Sequence, residues 1–347
     1  MYPDRPWKGP QMALFERNRP ARIRRRAAAV PVAVLAAAAL ALLAPVAGAT
    51  ASAKPAPSLL DPGSKYLGLA QDRVPQDADL LAGAATRLGK APDLLEYYVG
   101  FKEHFNAAAT RNAWNSGALT LLTWEPYTVS LADIAAGKDD AYLRRFAGEV
   151  RAADLPVALN FGHEMNGFWY PWGTKSKAAD FVGAYRHIHQ VFAKAGAKKV
   201  IWVWTANIVN HVPGVRLAPL YPGDAYVDWV GMSGYNENWE HWTSADVFGR
   251  TVKEVRGFTR KPLLIAETGC DAGPTQAARI TELFHYVAKS NDIIGLVYFD
   301  YDQRMDWRFE TAPDSLAAVQ RAAAGPEFGF DVRRSGPVRV TGRPRHG

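Results

Sequence analysis

Two glutamates stand where the chain has little reason to place an ionised group. Glu164 lies in the run His163-Glu164-Met165-Asn166-Gly167-Phe168-Trp169-Tyr170-Pro171-Trp172, and Glu267 in Ala266-Glu267-Thr268-Gly269. Each follows a short apolar run, and a carboxylate in apolar surroundings is costly unless it has a task. Such a pair has the composition that glycosidic hydrolysis needs. One acid protonates the departing oxygen, and one carboxylate attacks or stabilises the anomeric carbon. Either Glu alone also fits a salt-bridged strand end; both together, flanked by aromatics, favour the chemical reading.

Other chemistries fit these residues less well. A zinc-protease helix needs a second His four residues after His163, and position 167 is Gly. Gly231-Met232-Ser233-Gly234-Tyr235 lacks the final glycine and the following helix of a nucleophile elbow. His187 and His189 are two apart on a helical stretch, face different ways and read as solvated. No metal and no organic cofactor is expected.

Tryptophan, at 11 residues, marks the same regions. Trp124 ends an apolar run, Trp169 and Trp172 follow Glu164, Trp239 and Trp242 follow Tyr235, and Trp307 follows the last apolar run. Sugar rings present flat C–H faces, which an indole can cover while its N–H still finds a partner. Trp202 and Trp204 share one face of a strand, where packing in the barrel or against helices is the reading for at least one of them.

The elements that must position these residues alternate. Strand-like runs recur at Tyr66–Gln71, Leu94–Tyr98, Leu119–Trp124, Pro156–Phe161, Lys199–Trp204, Tyr226–Ser233, Pro262–Ala266 and Ile293–Phe299. Between them, helical spacing covers 76–88, 104–115, 139–153, 177–195, 245–257, 275–289 and 313–323, whereas 205–225 reads as irregular. Alternation of this kind implies parallel strands joined by crossover helices. Eight repeats in about 260 residues fit a single-domain α/β fold of the (β/α)8 TIM-barrel type, with its chemistry at the C-terminal strand ends. No glycine-rich dinucleotide fingerprint follows the first strand, against an open doubly wound sheet.

Of the net charge of +7, residues 1–49 supply +6: Arg5, Lys8, Arg17, Arg19, Arg22, Arg24, Arg25 and Arg26 stand against Asp4 and Glu16. Without the arginines of the last fifteen residues, the rest is slightly acidic, so no electrostatic case for nucleic-acid binding exists. Residues 1–49 read as a signal peptide: Arg22–Arg26 precede an Ala/Val/Leu run over 27–46 and the small-x-small site Ala47-Gly48-Ala49, with Met12 as an alternative start. A retained anchor is the competing reading. After cleavage the expectation is a secreted monomer without stable membrane association. Residues 50–63 read as linker, 64–324 as the barrel and 325–347 as a basic flexible tail. The single cysteine, Cys270, allows no internal disulfide.

From Tyr66 to about Ala322 the sequence resembles glycoside hydrolase family 26, whose best-known members are secreted β-mannanases. The resemblance rests on Thr123-Trp124-Glu125-Pro126, His163-Glu164-Met165-Asn166-Gly167 with Trp169, Trp202-Val203-Trp204 with Asn207, Gly234-Tyr235-Asn236, Ile265-Ala266-Glu267-Thr268-Gly269 and Asp306-Trp307-Arg308. It implies Glu164 as acid/base after the fourth strand and Glu267 as nucleophile after the seventh. It further implies His163 as a substrate-binding neighbour, Tyr235 as the hydroxyl holding the nucleophile, and Trp169 and Trp307 as sugar contacts. Trp124, Asn166 and Asn207 join the candidate substrate-binding set. The implied partner is a plant-type β-glycan, mannan first, with mixed-linkage β-glucan and xylan as family alternatives and a silent glycan-binding barrel as the alternative class. Where many relatives have an acidic residue two positions before the tyrosine, this chain has Ser233, which bears on selectivity for mannose over glucose.

Overall fold

The computed structural model describes residues 58–237 and 242–335. Eight parallel strands close into a barrel in chain order: β1 (Tyr66–Ala70), β2 (Leu94–Gly100), β3 (Leu119–Glu125), β4 (Val157–Phe161), β5 (Val200–Asn207), β6 (Trp229–Ser233), β7 (Leu263–Thr268) and β8 (Ile293–Phe299). Pairing of β1 with β8, Tyr66 opposite Gly295, closes the ring. Every strand is buried along its length, which is why each reads as an apolar run and not as a clean alternation.

The helices are α1 (Ala78–Leu88), α2 (Ala107–Asn115), α3 (Leu131–Ala135), α4 (Asp140–Ala153), α5 (Ala178–Ala195), α6 (Ser244–Val255), α7 (Gln276–Lys289) and α8 (Pro313–Ala323). Their ends follow local chemistry. Asp77 caps α1 by accepting from the N–H groups of Asp79 and Leu80, and α6 opens on a capping box of Thr243 and Asp246. α3 escapes the sequence reading because five residues are too few to display a period. As expected, 205–225 is irregular apart from a single 3-10 turn, Ala218–Leu220, among its non-strand residues.

Two apolar layers result. Outward side chains of the strands pack against the helices, while Tyr66, Leu94, Leu119, Ile201, Val203, Trp229 and Val297 fill the interior. The described parts of the segments read as linker and tail, 58–63 and 325–335, are corrected at this point, because they close the lower end of that interior. Leu59 and Val332 are buried in the interior cluster, Tyr66 Oη donates to the Leu59 carbonyl at 2.8 Å, and Trp229 Nε1 donates to the Leu60 carbonyl at 2.9 Å. Asp93 accepts from the N–H of Leu67 (2.7 Å) and of Phe330 (2.8 Å), tying 325–335 to the barrel. The lower rim would otherwise expose Tyr66, Leu94 and Trp229, and an irregular segment can cover such a surface without any periodic signal. The signal segment, Met12, residues 50–57 of the linker and 336–347 of the tail lie outside the described residues.

His187 and His189 are corrected too: His187 Nε2 meets Asp140 Oδ1 at 2.5 Å, and His189 packs on Trp202 and Tyr226. Among the described residues no helix is long and apolar enough to cross a membrane.

Candidate active site

Glu164 leaves β4 through a sharp turn. Gly162 has φ 58° and Glu164 itself φ 54°, a left-handed conformation that costs a non-glycine residue about 1–2 kcal/mol. Two backbone bonds hold it: its N–H donates to the Thr205 carbonyl and its carbonyl accepts from Gly167, both at 2.8 Å. The carboxylate is then gripped twice, Oε1 by Asn207 Nδ2 at 2.9 Å and Oε2 by Trp169 Nε1 at 2.7 Å. Gly167 is required for that grip, since a Cβ there would lie 2.4 Å from Trp169 Cζ2. Asn166 does not face the site as a free ligand. Its amide pairs with the Asn207 backbone in both directions at 2.8 Å and thereby fixes the residue that holds Glu164.

Glu267 owes its orientation to a β-bulge. Along β7, Leu264 and Ala266 face the barrel interior while Leu263 and Ile265 pack outward, so strict alternation would turn Glu267 toward the helices. Register with β6 passes from Met232–Ile265 to Ser233–Glu267, which leaves Ala266 as the extra residue and swings Glu267 inward. Tyr235 Oη donates to Oε1, and Tyr98 Oη donates to Oε2 at 2.6 Å.

Electrostatics divides the pair. Burial raises both carboxyls, and Glu164 is pushed up to about 8 by burial first and by the Glu267 charge second. Opposing this, Trp169 and Asn207 stabilise the ionised form of Glu164, as the two tyrosines do for Glu267. His163 is buried and pushed down to about 3, hence neutral, with Nε2 2.9 Å from Tyr170 Oη.

The structure brings Glu164, Glu267, His163, Asn207, Trp169 and Tyr235 together. Trp124 is corrected: it is fully buried on the outer side of β3, stacked on Phe146 at 4.4 Å and Phe101 at 5.1 Å, with Nε1 donating to Tyr142 Oη at 3.2 Å. Alternation from Leu119 and Leu121, both inward, is the signal that gives this away. Trp172 is internal as well, stacked on Tyr170 with Nε1 on the His163 carbonyl. Trp307 reaches the mouth but is only 3% exposed, its ring against Tyr235 at 4.4 Å, so it backs the tyrosine that holds Glu267. Trp202 and Trp204 both pack outward, and Trp239 lies outside the described residues.

Sequence reasoning missed Tyr98, Glu96 and Glu125. All three face inward, Glu96 and Tyr98 two apart on β2, where a polar residue inside an apolar strand was the available signal. Glu96 Oε1 accepts from Thr123 Oγ1 at 2.5 Å, and Thr123 accepts from Asn160 Nδ2 at 3.0 Å, a polar layer beneath the pair. A cleft of about 970 Å³ opens beside Tyr98, lined by Gln71, Asp72, Arg73, Gln76, Glu103 and Tyr301 among others. Among the described residues no group of three or more His, Cys, Asp or Glu could hold a metal ion.

A closed parallel barrel with one gripped carboxyl after β4 and another after β7 defines a (β/α)8 barrel with a two-carboxylate centre of the kind that glycosidic chemistry uses. Residues 99–289, more than half of the chain, match Glycosyl hydrolase family 26, and the chain belongs to that family. It is 33% identical over 249 residues to Endoglucanase H of Acetivibrio thermocellus, covering 67% of this chain and 28% of that protein. It is 24% identical to Beta-1,3-xylanase TXYA of a Vibrio species, over 68% of this chain and 57% of the relative. The chain thus spans between about a quarter and just over half the length of these curated relatives. Its fold is shared with the β-mannanase from a symbiotic protist of the termite Reticulitermes speratus, at a TM-score of 0.58 and 17% identity over 79% of this chain and 90% of that one.

Proposed function

We propose that this chain is a retaining β-glycanase, cleaving the backbone of a plant-type β-linked polysaccharide through Glu267 and Glu164. The observation that carries the reading is the unequal setting of the two carboxyls. Glu267 receives two tyrosine hydroxyls, which favour a carboxylate fit to attack, whereas Glu164 is buried beside that charge and holds its proton. Glu267 attacks the anomeric carbon as Glu164 protonates the leaving oxygen, giving a glycosyl ester on Glu267 and a free chain end. Esterification removes the charge that kept Glu164 protonated, so Glu164 then takes a proton from water, which attacks the ester from the opposite side of the sugar. Two inversions leave net retention. His163 and Trp169 flank the reacting sugar, and the cleft of about 970 Å³ lies beside Tyr98, the residue that holds Glu267.

Mannan is the first substrate reading, supported by 30% identity over 95 residues to the mannan endo-1,4-β-mannosidase of Bacillus subtilis. A β-glucan is the second, favoured by the longer match to Endoglucanase H and by Ser233 where an acidic residue would read mannose. The protein acts outside the cell as a monomer after loss of residues 1–49. Incubation with mannan, glucomannan, barley β-glucan and xylans, with the anomer of the first product read by NMR, tests this. Release of β-anomers is expected; α-anomers, or binding with no reducing sugar released from any polymer, would overturn it. Mature protein in the medium should begin near Thr50 or Lys54, and recovery from membranes with residues 27–46 attached would reject secretion.

A further inference from the structure

Glu125 is the uppermost inward-facing residue of β3, two positions above Thr123, and its backbone carbonyl is fixed by the N–H groups of Phe101 (2.9 Å) and Tyr127 (3.0 Å). Its side chain is fully buried, and neither carboxyl oxygen has a hydrogen-bond partner. The other buried carboxyls have partners that explain them. Asp93 holds two backbone N–H groups, Asp300 holds Phe309 N–H and Gln71, Glu96 holds Thr123 through one oxygen, Asp271 pairs with Arg279, Glu237 pairs with Arg304, and Glu164 and Glu267 are gripped as described. Glu125 does nothing comparable within the fold.

No counter-ion explains it either. Burial first, and then the charged groups acting on Glu125, which are Glu267, Glu103 and Glu164 and all acidic, push its pKa well above the ordinary carboxyl range and so favour the protonated form, which has an O–H to donate. Other side-chain atoms around the pair also lack partners, among them Tyr127 Oη, two residues along the chain, His163 Nδ1 and Asn207 Oδ1. Buried polar atoms without partners are destabilising, and a wall of them beside a reacting centre is the arrangement that rewards a ligand rich in hydroxyls.

We propose that Glu125 and Tyr127 form a hydroxyl-reading wall of the substrate site, hydrogen-bonding the sugar unit held between Glu164 and Glu267 as both donor and acceptor. This inference rests on the β-glycanase reading and adds to it a source of selectivity on β3. Loss of such a group penalises every substrate hydroxyl it served, because the remaining partners are left unpaired.

Glu125→Met, which keeps the length of the side chain and removes its polar atoms, separates a binding role from a structural one. With the best polysaccharide of the panel, kcat/KM should fall tenfold or more while Tm stays level or rises, with the gain larger at pH 7 than at pH 5. The sign follows from the raised pKa: the wild-type carboxyl is easy to keep protonated at low pH and costs stability as pH climbs. Glu125→Gln, which still donates and accepts, should stay within about threefold of wild type in kcat/KM. A Glu125→Met protein with wild-type kinetics on a polymer that the wild type cleaves would overturn this inference alone. A fall in Tm restored by Glu125→Gln would make Glu125 structural and overturn it as well. A wild type that cleaves no polymer in the panel would overturn the β-glycanase reading and this inference with it.

Discussion

Tyr98 reaches across the barrel mouth from β2 to donate a 2.6 Å hydrogen bond to Glu267 Oε2 on β7, 169 residues further along the chain. With Tyr235 on Oε1, it leaves the carboxylate fixed at both oxygens. Hydrogen bonds to charged groups are worth about 1.5–3 kcal/mol, a factor of about 10–150.

Tyr98→Phe removes the Oε2 donor without opening the packing around the ring. Its kcat/KM should fall by about one to two orders of magnitude, within the range for a charge-assisted bond. Because the lost bond favoured the ionised form, the acid limb of the pH–rate profile should move to higher pH. An unshifted acid limb would show that Tyr98 does not set the charge of Glu267.

The alkaline limb belongs to Glu164. A proton held up to about pH 8 predicts that kcat/KM declines above that region, as the acid is lost from the free enzyme. The apparent value belongs to the coupled pair, so Glu267→Gln, which removes the neighbouring charge, should lower the titration of Glu164. Carbon-13 NMR of labelled glutamate reads this directly, and an upward or absent shift would contradict the assigned cause.

Azide separates the two roles. Glu267→Ala should give a glycosyl azide of inverted configuration, since azide fills the vacated space and attacks from the same face. Glu164→Ala should still react with activated aryl glycosides, accumulate the ester, and release it to azide with net retention. The reverse pattern would exchange the assignments, and full activity of either variant on polysaccharide would remove them.

The segment after α8 carries stability. Phe328 is buried against Phe284, with ring centroids 5.1 Å apart. Phe328→Ala should cost about 3–5 kcal/mol of unfolding free energy, the range for a buried Phe truncated in a core. Chemical denaturation checks this, and a loss under 1 kcal/mol would return residues 325–335 to the status of a loose tail.

Most of the element order was legible in the sequence. Strands buried on both faces read as apolar runs, and helices of eleven residues or more show their period, so the observed bounds lie within a few residues of those expected. Glu164 and Glu267 were legible because a carboxyl in an apolar setting is conspicuous. Facing was less accessible. Trp124 stood at the right height but on the outer side of β3, Tyr98 stood inward on a strand whose end carried no motif, and Glu125 stood inward within Thr123-Trp124-Glu125-Pro126, where the tryptophan drew the substrate-binding reading instead.

What the sequence by itself determined is the local part: which residues extend, which coil, and which two acids stand at strand ends. Tertiary structure alone decided which way those acids look. Glu267 turns inward only because β7 slips by one residue against β6 at Ala266, and Glu164 does so only through a left-handed turn held by the Thr205 carbonyl. Alternation and periodicity are properties of a single strand or helix, whereas a bulge is a disagreement in register between two strands. The closure of the lower end by Leu59 and Val332 has the same origin, since its driving force is the apolar rim left open by eight strands distant in the chain.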